Sequence, residues 1–445
     1  MLTLPAAVRD ILDRLNDAGY EAYAVGGCVR DSLLGREPHD WDVTTSALPE
    51  ETRAVFSHRR VLDTGLRHGT LTVLAADGLP VEITTYRVDG PYTDSRRPDS
   101  VAFTRSLRED LARRDFTINA MAYHPREGLV DYFSGRADLE AGRICCVGDP
   151  DRRFGEDALR ILRALRFASV LGFTVERVTK ESLLRHKDGL SAVSAERIAA
   201  EMSALLCGKE VFPVLMEYAP LFTSLFPELA ATVGHPQYNE YHRYDIYEHT
   251  ARSVQAAPPV PVLRWTMLFH DSGKPACFTR DAEGVGHFYG HPAVSVKLAA
   301  DAIRRLRLDT DTLERVCLLI RYHDHRFTGA LPELKRWLGR LGEEAFFQLL
   351  EVQRADICAQ NPALLERLAA MEGLEKQARA IVAEKACYRL QDLPVNGRDL
   401  MALGFLPGER LGNALQALLD AVIDGTCPNE KEALLQLAEA WGRSH

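Results

Sequence analysis

No stretch of this 445-residue chain approaches the ~20 consecutive apolar residues that a membrane span needs, so nothing in it is expected to cross a bilayer. An excess of positive charge is missing too. Lys and Arg number 54 against 63 Asp and Glu, a formal net charge of −9 that argues against broad affinity for nucleic acid. The nine cysteines contain no C-x-x-C pair, and the adjacent Cys145 and Cys146 cannot readily bridge to each other. Disulfides and zinc ribbons are therefore excluded in favour of reduced, mostly buried thiols. A secretory core is lacking as well: Arg9 and Asp10 interrupt the start, where Val8, Ile11, Leu12 and Leu15 instead mark an amphipathic helix, and a cytoplasmic protein is expected. There is no internal repeat and no low-complexity run.

What is present is too long for one core, and roughly 100 to 200 residues per domain suggests three or so units. The most informative stretch is Tyr23 to Thr45, YAVGGCVRDSLLGREPHDWDVTT. Ala24 and Val25 end an apolar strand, Gly26 and Gly27 put no side chain between backbone amides and a ligand, and Val29, Leu33 and Leu34 have helical spacing. A phosphate belongs at such a helix start, with Arg30 adding a forked cation. Asp40 and Asp42 flank Trp41 before Val43 and Thr44, and residues two apart on a strand point the same way. Two convergent acids repel unless a divalent cation sits between them, and Mg²⁺ held by carboxylates and substrate phosphates serves nucleotidyl transfer. A lone Asp-x-Asp is usually a solvated turn; the glycine pair and Arg30 upstream reverse that reading.

GGCVRDSLLGREPHDWDVTTSALPEE resembles the signature of the class II tRNA nucleotidyltransferase and bacterial poly(A) polymerase superfamily, a branch of the polymerase-β-like nucleotidyltransferases. Downstream, a helix at about 49–56 leads to short strands at 61–63, 69–75 and 80–86, a small mixed sheet with Asp77-Gly78 as a hairpin turn. Glu82 on the last strand could join the aspartates as a third acid or be an ordinary exposed carboxylate. RVDGPYTDSRRPDSVAF reads as a mobile loop. Its DGPYTDSRRP resembles the flexible loop that, in this family, accompanies addition of the terminal adenosine.

Leu107 to Tyr123 matches the family's RRDFTINA motif, which implies that Arg113 and Arg114 reach triphosphate or RNA backbone. Asp115 and Asn119, four apart, would share a helix face and bind a ribose hydroxyl, or Asp115 would cap a helix. Arginines cluster at 96, 97, 105, 108, 113 and 114 and again at 152, 153, 160, 163 and 166, so a positive groove, or a set of solvated helix faces, can exist on an acidic protein. PDRRFGEDALRILRALRF resembles the family neck, with Phe154, Leu159, Leu162, Leu165 and Phe167 on apolar faces and Arg160, Arg163 and Arg166 on another. Its EDxxR motif, Glu156, Asp157 and Arg160, implies that Asp157 and Arg160, one helical turn apart, read the incoming base; an ordinary helix salt bridge is the alternative. Glu196, Arg197 and Glu201 would brace the neck. His249, His270, Asp271 and a distant Asp356 resemble the metal ligands of HD-superfamily phosphohydrolases, and His287, His291 and His323 could extend the set to a second metal. The alternative is an HD fold kept for packing and RNA contact.

These resemblances imply an α+β protein: a polymerase-β-like nucleotidyltransferase head at 1–145, an all-helical neck and RNA-binding region at 146–234, an HD domain at 235–360 and a helical tail at 361–445. They imply addition of the 3′-terminal CCA to tRNA from CTP and ATP. Mg²⁺ would sit on Asp40 and Asp42, with a possible second divalent or transition metal at the HD site, and the tRNA 3′ end and acceptor stem would be the partner. Gly26, Gly27, Arg30, Arg113, Arg114, Asp115, Asn119, Asp157, Arg160, Arg163 and Arg166 would bind nucleotide. A poly(A) polymerase, an enzyme adding only the terminal A, and a regulator working through the HD centre are the rivals.

Overall fold

Helix α1 (Ala6–Asp17) buries Val8, Ile11, Leu12 and Leu15, the apolar stripe read from the sequence, and Gly19 at φ 87° turns the chain into the first strand. The structure is a computed structural model that describes residues 2–90 and 100–444. Nine strands follow in the first part: β1 (Ala22–Val25), β2 (Asp42–Thr45), β3 (Val61–Gly65), β4 (Thr70–Leu74), β5 (Pro80–Thr85), β6 (Arg87–Asp89), β7 (Val101–Phe103), β8 (Met121–His124) and β9 (Gly128–Asp131). Seven of them form one sheet in the order β3-β4-β5-β2-β1-β8-β9. Its pairs are antiparallel except β2 with β5, which run parallel and set Asp42 opposite Glu82. This is the small mixed sheet expected. Helices α2 (Gly27–Leu33), α3 (Pro49–Val55) and α4 (Leu107–Ala112) flank the strands in sequence. Leu107 and Leu111 of α4 pack with Tyr23, Val25, Tyr86, Ala120 and Ala122, and fully burying one such leucine contributes about 2 kcal/mol.

Two local expectations are corrected. Asp40 is not on the strand with Asp42: β2 begins at Asp42, and Asp40 precedes it in irregular chain. The segment around 87–103, read as loop, begins and ends in strands, because Arg87↔Phe103 to Asp89↔Val101 close an antiparallel ribbon.

Helices α5 (Gly135–Glu140), α6 (Pro150–Glu156), α7 (Leu159–Phe167), α8 (Arg177–His186) and α9 (Ala195–Leu206) continue the chain. Phe154, Leu159, Leu162, Leu165 and Phe167 are all buried. The run is not wholly helical, since Thr174–Val175 pairs in parallel with Arg143–Ile144. Nor is it one helix: Asp157, at φ −146° and ψ 103°, breaks α6 from α7.

The chain divides into two units, Met1–Pro227 with Arg305–Arg307, and Glu228–Arg304 with Leu308–His445. The second is helical apart from a short hairpin, Thr279–Arg280 against Gly286–His287. Trp265 and Phe269 stack at 6.2 Å in its core. Leu365 is 40% exposed, and the helix Arg367–Ala383 that follows buries Leu374, Ala378 and Ile381. Leu418 and Leu419 are buried in the tail. All nine cysteines are free, but only Cys28, Cys146 and Cys387 are buried and Cys358 is exposed, so the thiols are mostly half-buried. Among the described residues no helix is long and apolar enough to cross a membrane.

Candidate active site and a second ligand cluster

Gly26 joins β1 to α2 at φ 83° and ψ −131°, a conformation side chains rarely adopt. A Cβ there would also lie 3.0 Å from Arg114 Nη1. Beyond the turn, Arg30 is held by protein partners. Its Nη1 donates to Asn119 Oδ1 at 2.7 Å, its Nε and Nη2 each donate to the Asp31 carboxylate at 2.9 Å, and its guanidinium lies 4.9 Å from the Phe167 ring centre. At the start of β2, half-buried Asp42 has its carboxyl pushed upward, first by burial and then by the Glu82 and Asp40 carboxylates, with Arg114 opposing. Asp40 and Glu82 are exposed. Asp40 and Glu82 are near enough to raise the Asp42 carboxyl but do not gather with it into a set of ligand atoms within 4.8 Å of one another; with Arg114 opposing, they make a place short of positive charge that a divalent cation would relieve.

The arginine motif is organised by Asp110, a wholly buried acid. Arg113 donates to its Oδ1 through Nε at 3.0 Å and Nη2 at 2.8 Å, Thr44 donates to Oδ2 at 3.0 Å, and Arg114 Nη2 lies 3.7 Å from Oδ2. Burial raises the Asp110 carboxyl, but Arg113 and Arg114 outweigh it and leave it lowered. Arg114 is thereby positioned between Gly26 and Asp42, its Nε buried without a hydrogen-bond partner and its pKa lowered by burial. The i,i+3 and i,i+4 spacing of Asp110 to these arginines was the signal available in the sequence.

Asp115 and Asn119 do not share a helix. Asp115 lies in the turn after α4, and a 3₁₀ turn, Thr117–Asn119, folds back so that Asn119 Nδ2 donates to Asp115 Oδ1 at 3.1 Å. Asp115 also accepts from Phe116 N at 2.8 Å and faces Arg163 at 2.8 Å. Burial alone would raise its carboxyl; Arg163 and Asn119 bring it down to about 2.

In the neck the break at Asp157 takes Asp157 and Arg160 off a common helix, though Arg160 N still donates to the Asp157 carbonyl at 3.0 Å. Asp157 faces Arg197 at 2.7 Å and accepts from Leu159 N at 3.0 Å. Arg160 Nη1 donates to Glu156 Oε2 at 2.7 Å and to the Arg153 carbonyl at 3.1 Å. The Arg113 carbonyl accepts from both Arg160 Nη2 at 3.3 Å and Arg153 Nη1 at 3.2 Å. Glu201 lies 3.4 Å from Arg163 and 2.8 Å from Arg166, so Arg197 and Glu201 brace the neck, whereas Glu196 pairs with Arg307 at 2.8 Å. Arg30, Arg163 and Arg166 surround Phe167 at 4.9, 5.5 and 4.4 Å from its ring centre. The loop DGPYTDSRRP, with Arg96 and Arg97, lies outside the described residues beyond Gly90.

The second unit gathers His249, His270, Asp271 and Asp356, and beside them Asp271, His291 and His323, each set with its ligand atoms within 4.8 Å. His287 does not join them. It faces Asp281 at 2.7 Å and stacks on Tyr289. Lys274, three residues after Asp271 and not marked by the sequence, places Nζ 2.7 Å from Asp271 Oδ2 and donates to Gln237 Oε1 at 2.8 Å.

A mixed sheet that presents clustered carboxylates beside a glycine turn, with an arginine motif at its back, defines a nucleotidyltransferase head. Residues 22–145 match the family model described as the Poly A polymerase head domain, residues 172–232 that of the RNA and SrmB-binding site of polymerase A, and residues 293–438 that of tRNA nucleotidyltransferase domain 2. The CCA-adding enzyme of Levilactobacillus brevis is 36% identical over 430 residues, 96% of each chain. That of Geobacillus kaustophilus is 33% identical over 441 residues, 98% of this chain and 96% of the other. The crystal structure of the Bacillus stearothermophilus CCA-adding enzyme in complex with CTP superposes with a TM-score of 0.73 at 30% identity, covering 98% of this chain and 97% of that one. The chain belongs to the CCA-adding enzyme family. Nucleotidyltransferases of this kind use a divalent metal, which the carboxylates of the head fit.

Proposed function

We propose that the chain adds the 3′-terminal CCA to tRNA, transferring CMP from CTP and AMP from ATP to the growing 3′ end with release of pyrophosphate. The carrying observation is the setting of Asp42: in register with Glu82, coupled to Asp40, and placed beside the Gly26 turn with Arg114 between. Asp40 and Asp42 would hold Mg²⁺, which when bound would supply the charge that acidifies the tRNA 3′ hydroxyl and offsets that of the departing pyrophosphate. The turn at Gly26 and Gly27 receives the triphosphate with Arg30, Arg113, Arg114, Arg163 and Arg166 around it. Asp115 and Asn119 fix the ribose.

Asp157 and Arg160 select the base. Cytosine and adenine each offer an amino donor beside a ring-nitrogen acceptor, which a carboxylate and a guanidinium can both serve; guanine and uracil present the opposite pattern and leave like groups opposed. Support comes from rigidity: each side chain is 9% exposed and is anchored by Arg197 or Glu156. The head occupies 1–145, the neck 146–234, an HD domain 235–360 and the tail 361–445, and His249, His270, Asp271 and Asp356 hold a metal ion. A cytoplasmic location is the reading that action on tRNA supports.

The test is incubation of purified protein with tRNA lacking its 3′ end and each labelled nucleotide. Incorporation of two C and one A supports the reading. Addition of A alone to tRNA ending in CC, or unlimited A addition, overturns it in favour of an A-adding enzyme or a poly(A) polymerase. Unaltered discrimination among four nucleotides in both Asp157→Ala and Arg160→Ala would mean the base is read elsewhere.

A further inference from the structure

Asp31, next to Arg30 on α2, anchors a chain of contacts that crosses the nucleotide site. Its carboxylate accepts from Arg30 Nε and Nη2 at 2.9 Å each. Consecutive residues on a helix do not face each other, so α2 does not bring these side chains together by itself; the guanidinium has to turn back to reach its neighbour. The two side chains are only 11% and 21% exposed, which sets the pair apart from a solvent-screened surface bridge. Arg30 Nη1 then donates to Asn119 Oδ1 at 2.7 Å, and Asn119 Nδ2 donates to Asp115 Oδ1 at 3.1 Å. A guanidinium only donates and a carboxylate only accepts, so the Asn119 amide is held in a single orientation. The neck fixes the two flanking guanidiniums: Arg30 and Arg163 both lie on Phe167, 4.9 and 5.5 Å from its ring centre.

These contacts give Asp115 and Asn119 different parts. The acceptor positions of Asp115 are filled, Oδ1 by Phe116 N and Asn119 Nδ2, Oδ2 by Arg163 Nε and Nη2. That makes about four hydrogen bonds, the capacity of a carboxylate. Asn119 keeps one amide N–H and one carbonyl lone pair unspent. A hydroxyl answers both, accepting from the N–H and donating to the oxygen. The residue also stands beside the phosphate turn, its main-chain carbonyl 4.0 Å from where a Cβ on Gly26 would be, and the sugar of a nucleotide follows directly on its α-phosphate. We infer that Asp31 is a positioning residue for sugar selection: through Arg30 it holds the Asn119 amide in the orientation that takes a ribose hydroxyl. The inference rests on the reading of Asn119 as a ribose ligand and goes beyond it, giving the contact to Asn119 and the orientation to Asp31 and Asp115. Removing Asp31 releases Arg30 toward the triphosphate, the stronger anion, and leaves the amide held at one end only.

The test is kcat/KM for the first addition to tRNA lacking its 3′ end, with the full chain and CTP, 2′-deoxy-CTP, 3′-deoxy-CTP or UTP as the single nucleotide. Wild type should prefer CTP to at least one of the deoxy compounds. In Asp31→Ala that preference should fall about tenfold or more, the worth of one or two hydrogen bonds, while the preference for CTP over UTP holds and the KM for CTP does not rise. Asp31→Glu should recover much of the sugar preference, and Asp31→Asn, which keeps the shape and loses the charge, carries the comparison if Asp31→Ala melts early. Asn119→Ala should lose the same preference, and adding Asp31→Ala to it should change nothing further, because one residue acts through the other. An equal loss for every nucleotide in Asp31→Ala, without recovery in Asp31→Glu, marks a merely structural pair and overturns the inference. Unchanged sugar preference in folded Asp31→Ala overturns it while Asn119 stands as the ribose ligand; unchanged preference in Asn119→Ala as well overturns both. A wild type that adds no C overturns the proposed function itself.

Discussion

Replacing Asp115 by Asn removes one negative charge from a joint between the head motif and α7 and leaves its shape nearly unchanged. The Asp115 carboxyl falls from its ordinary 3.8 to about 2 in the fold, with Arg163 at 2.8 Å as the principal favourable cause. At about 1.4 kcal/mol per unit, that shift corresponds to about 2 kcal/mol of stability at neutral pH. The Arg163 side chain is 33% exposed, and solvent screening brings the expectation to about 1–2 kcal/mol. The sign follows from the direction of the shift. A carboxyl with a depressed folded pKa contributes fully above its unfolded value of 3.8 and loses that contribution as pH falls through about 2. About half is gone by pH 3. Urea unfolding of wild type and Asp115→Asn, with the head followed by hydrogen exchange of its sheet peptides, should therefore show a constant gap from pH 7 to 5 that narrows below pH 4. Equal stabilities at pH 7, or a gap as wide at pH 3 as at pH 7, would refute the assignment of this energy to the Asp115 charge.

Asp40→Ala and Asp42→Ala should each cut nucleotide incorporation about a thousandfold while the thermal transition stays put, and near-normal incorporation with unchanged Mg²⁺ dependence would sink the metal assignment. Gly26→Ala forces a Cβ into φ 83° and to 3.0 Å from Arg114 Nη1, so a loss of about 1–3 kcal/mol and a raised KM for CTP and ATP are expected from melting curves and steady-state kinetics. Asp110→Ala strands the Arg113 and Arg114 guanidiniums beside a buried site and should cost about 3–5 kcal/mol, with Asp110→Asn intermediate; chemical denaturation of both variants checks the order.

The strand, turn and helix around Gly26 were legible because each depends on local rules: apolar residues, a conformation only glycine tolerates, then 3.6-residue spacing. The arginine side chains were not. Sequence reading assigns a cation to whatever anion the motif implies, whereas the fold binds Arg113 to Asp110, Arg30 to Asp31 and Asn119, and Arg166 to Glu201, partners that are distant in sequence or ordinary in local pattern. Asp115 and Asn119 were paired for a wrong reason, since a 3₁₀ reversal and not a helix brings them together. The register of β2 with β5 could not be read at all, because parallel pairing is set by the whole sheet, and it is what puts Glu82 opposite Asp42. In the second unit the histidines were legible as a set, while the division into two groups around the two oxygens of Asp271 belongs to the packing of five helices and is absent from any local spacing.

The carbonyl of Arg113 accepts from Arg153 and Arg160 at once, and this fastening of the arginine motif to the neck has an asymmetric vulnerability. A main-chain oxygen survives every substitution at its own position, so changing the side chain at 113 disturbs only its grip on Asp110. The fastening itself can be undone from the neck side alone, through Arg153 or Arg160, and one of those two is also the residue assigned to the base. On the base-reading role proposed for Arg160, selection for which nucleotide is accepted and selection for how firmly the neck is attached would act on the same guanidinium, and neither could drift without the other recording it.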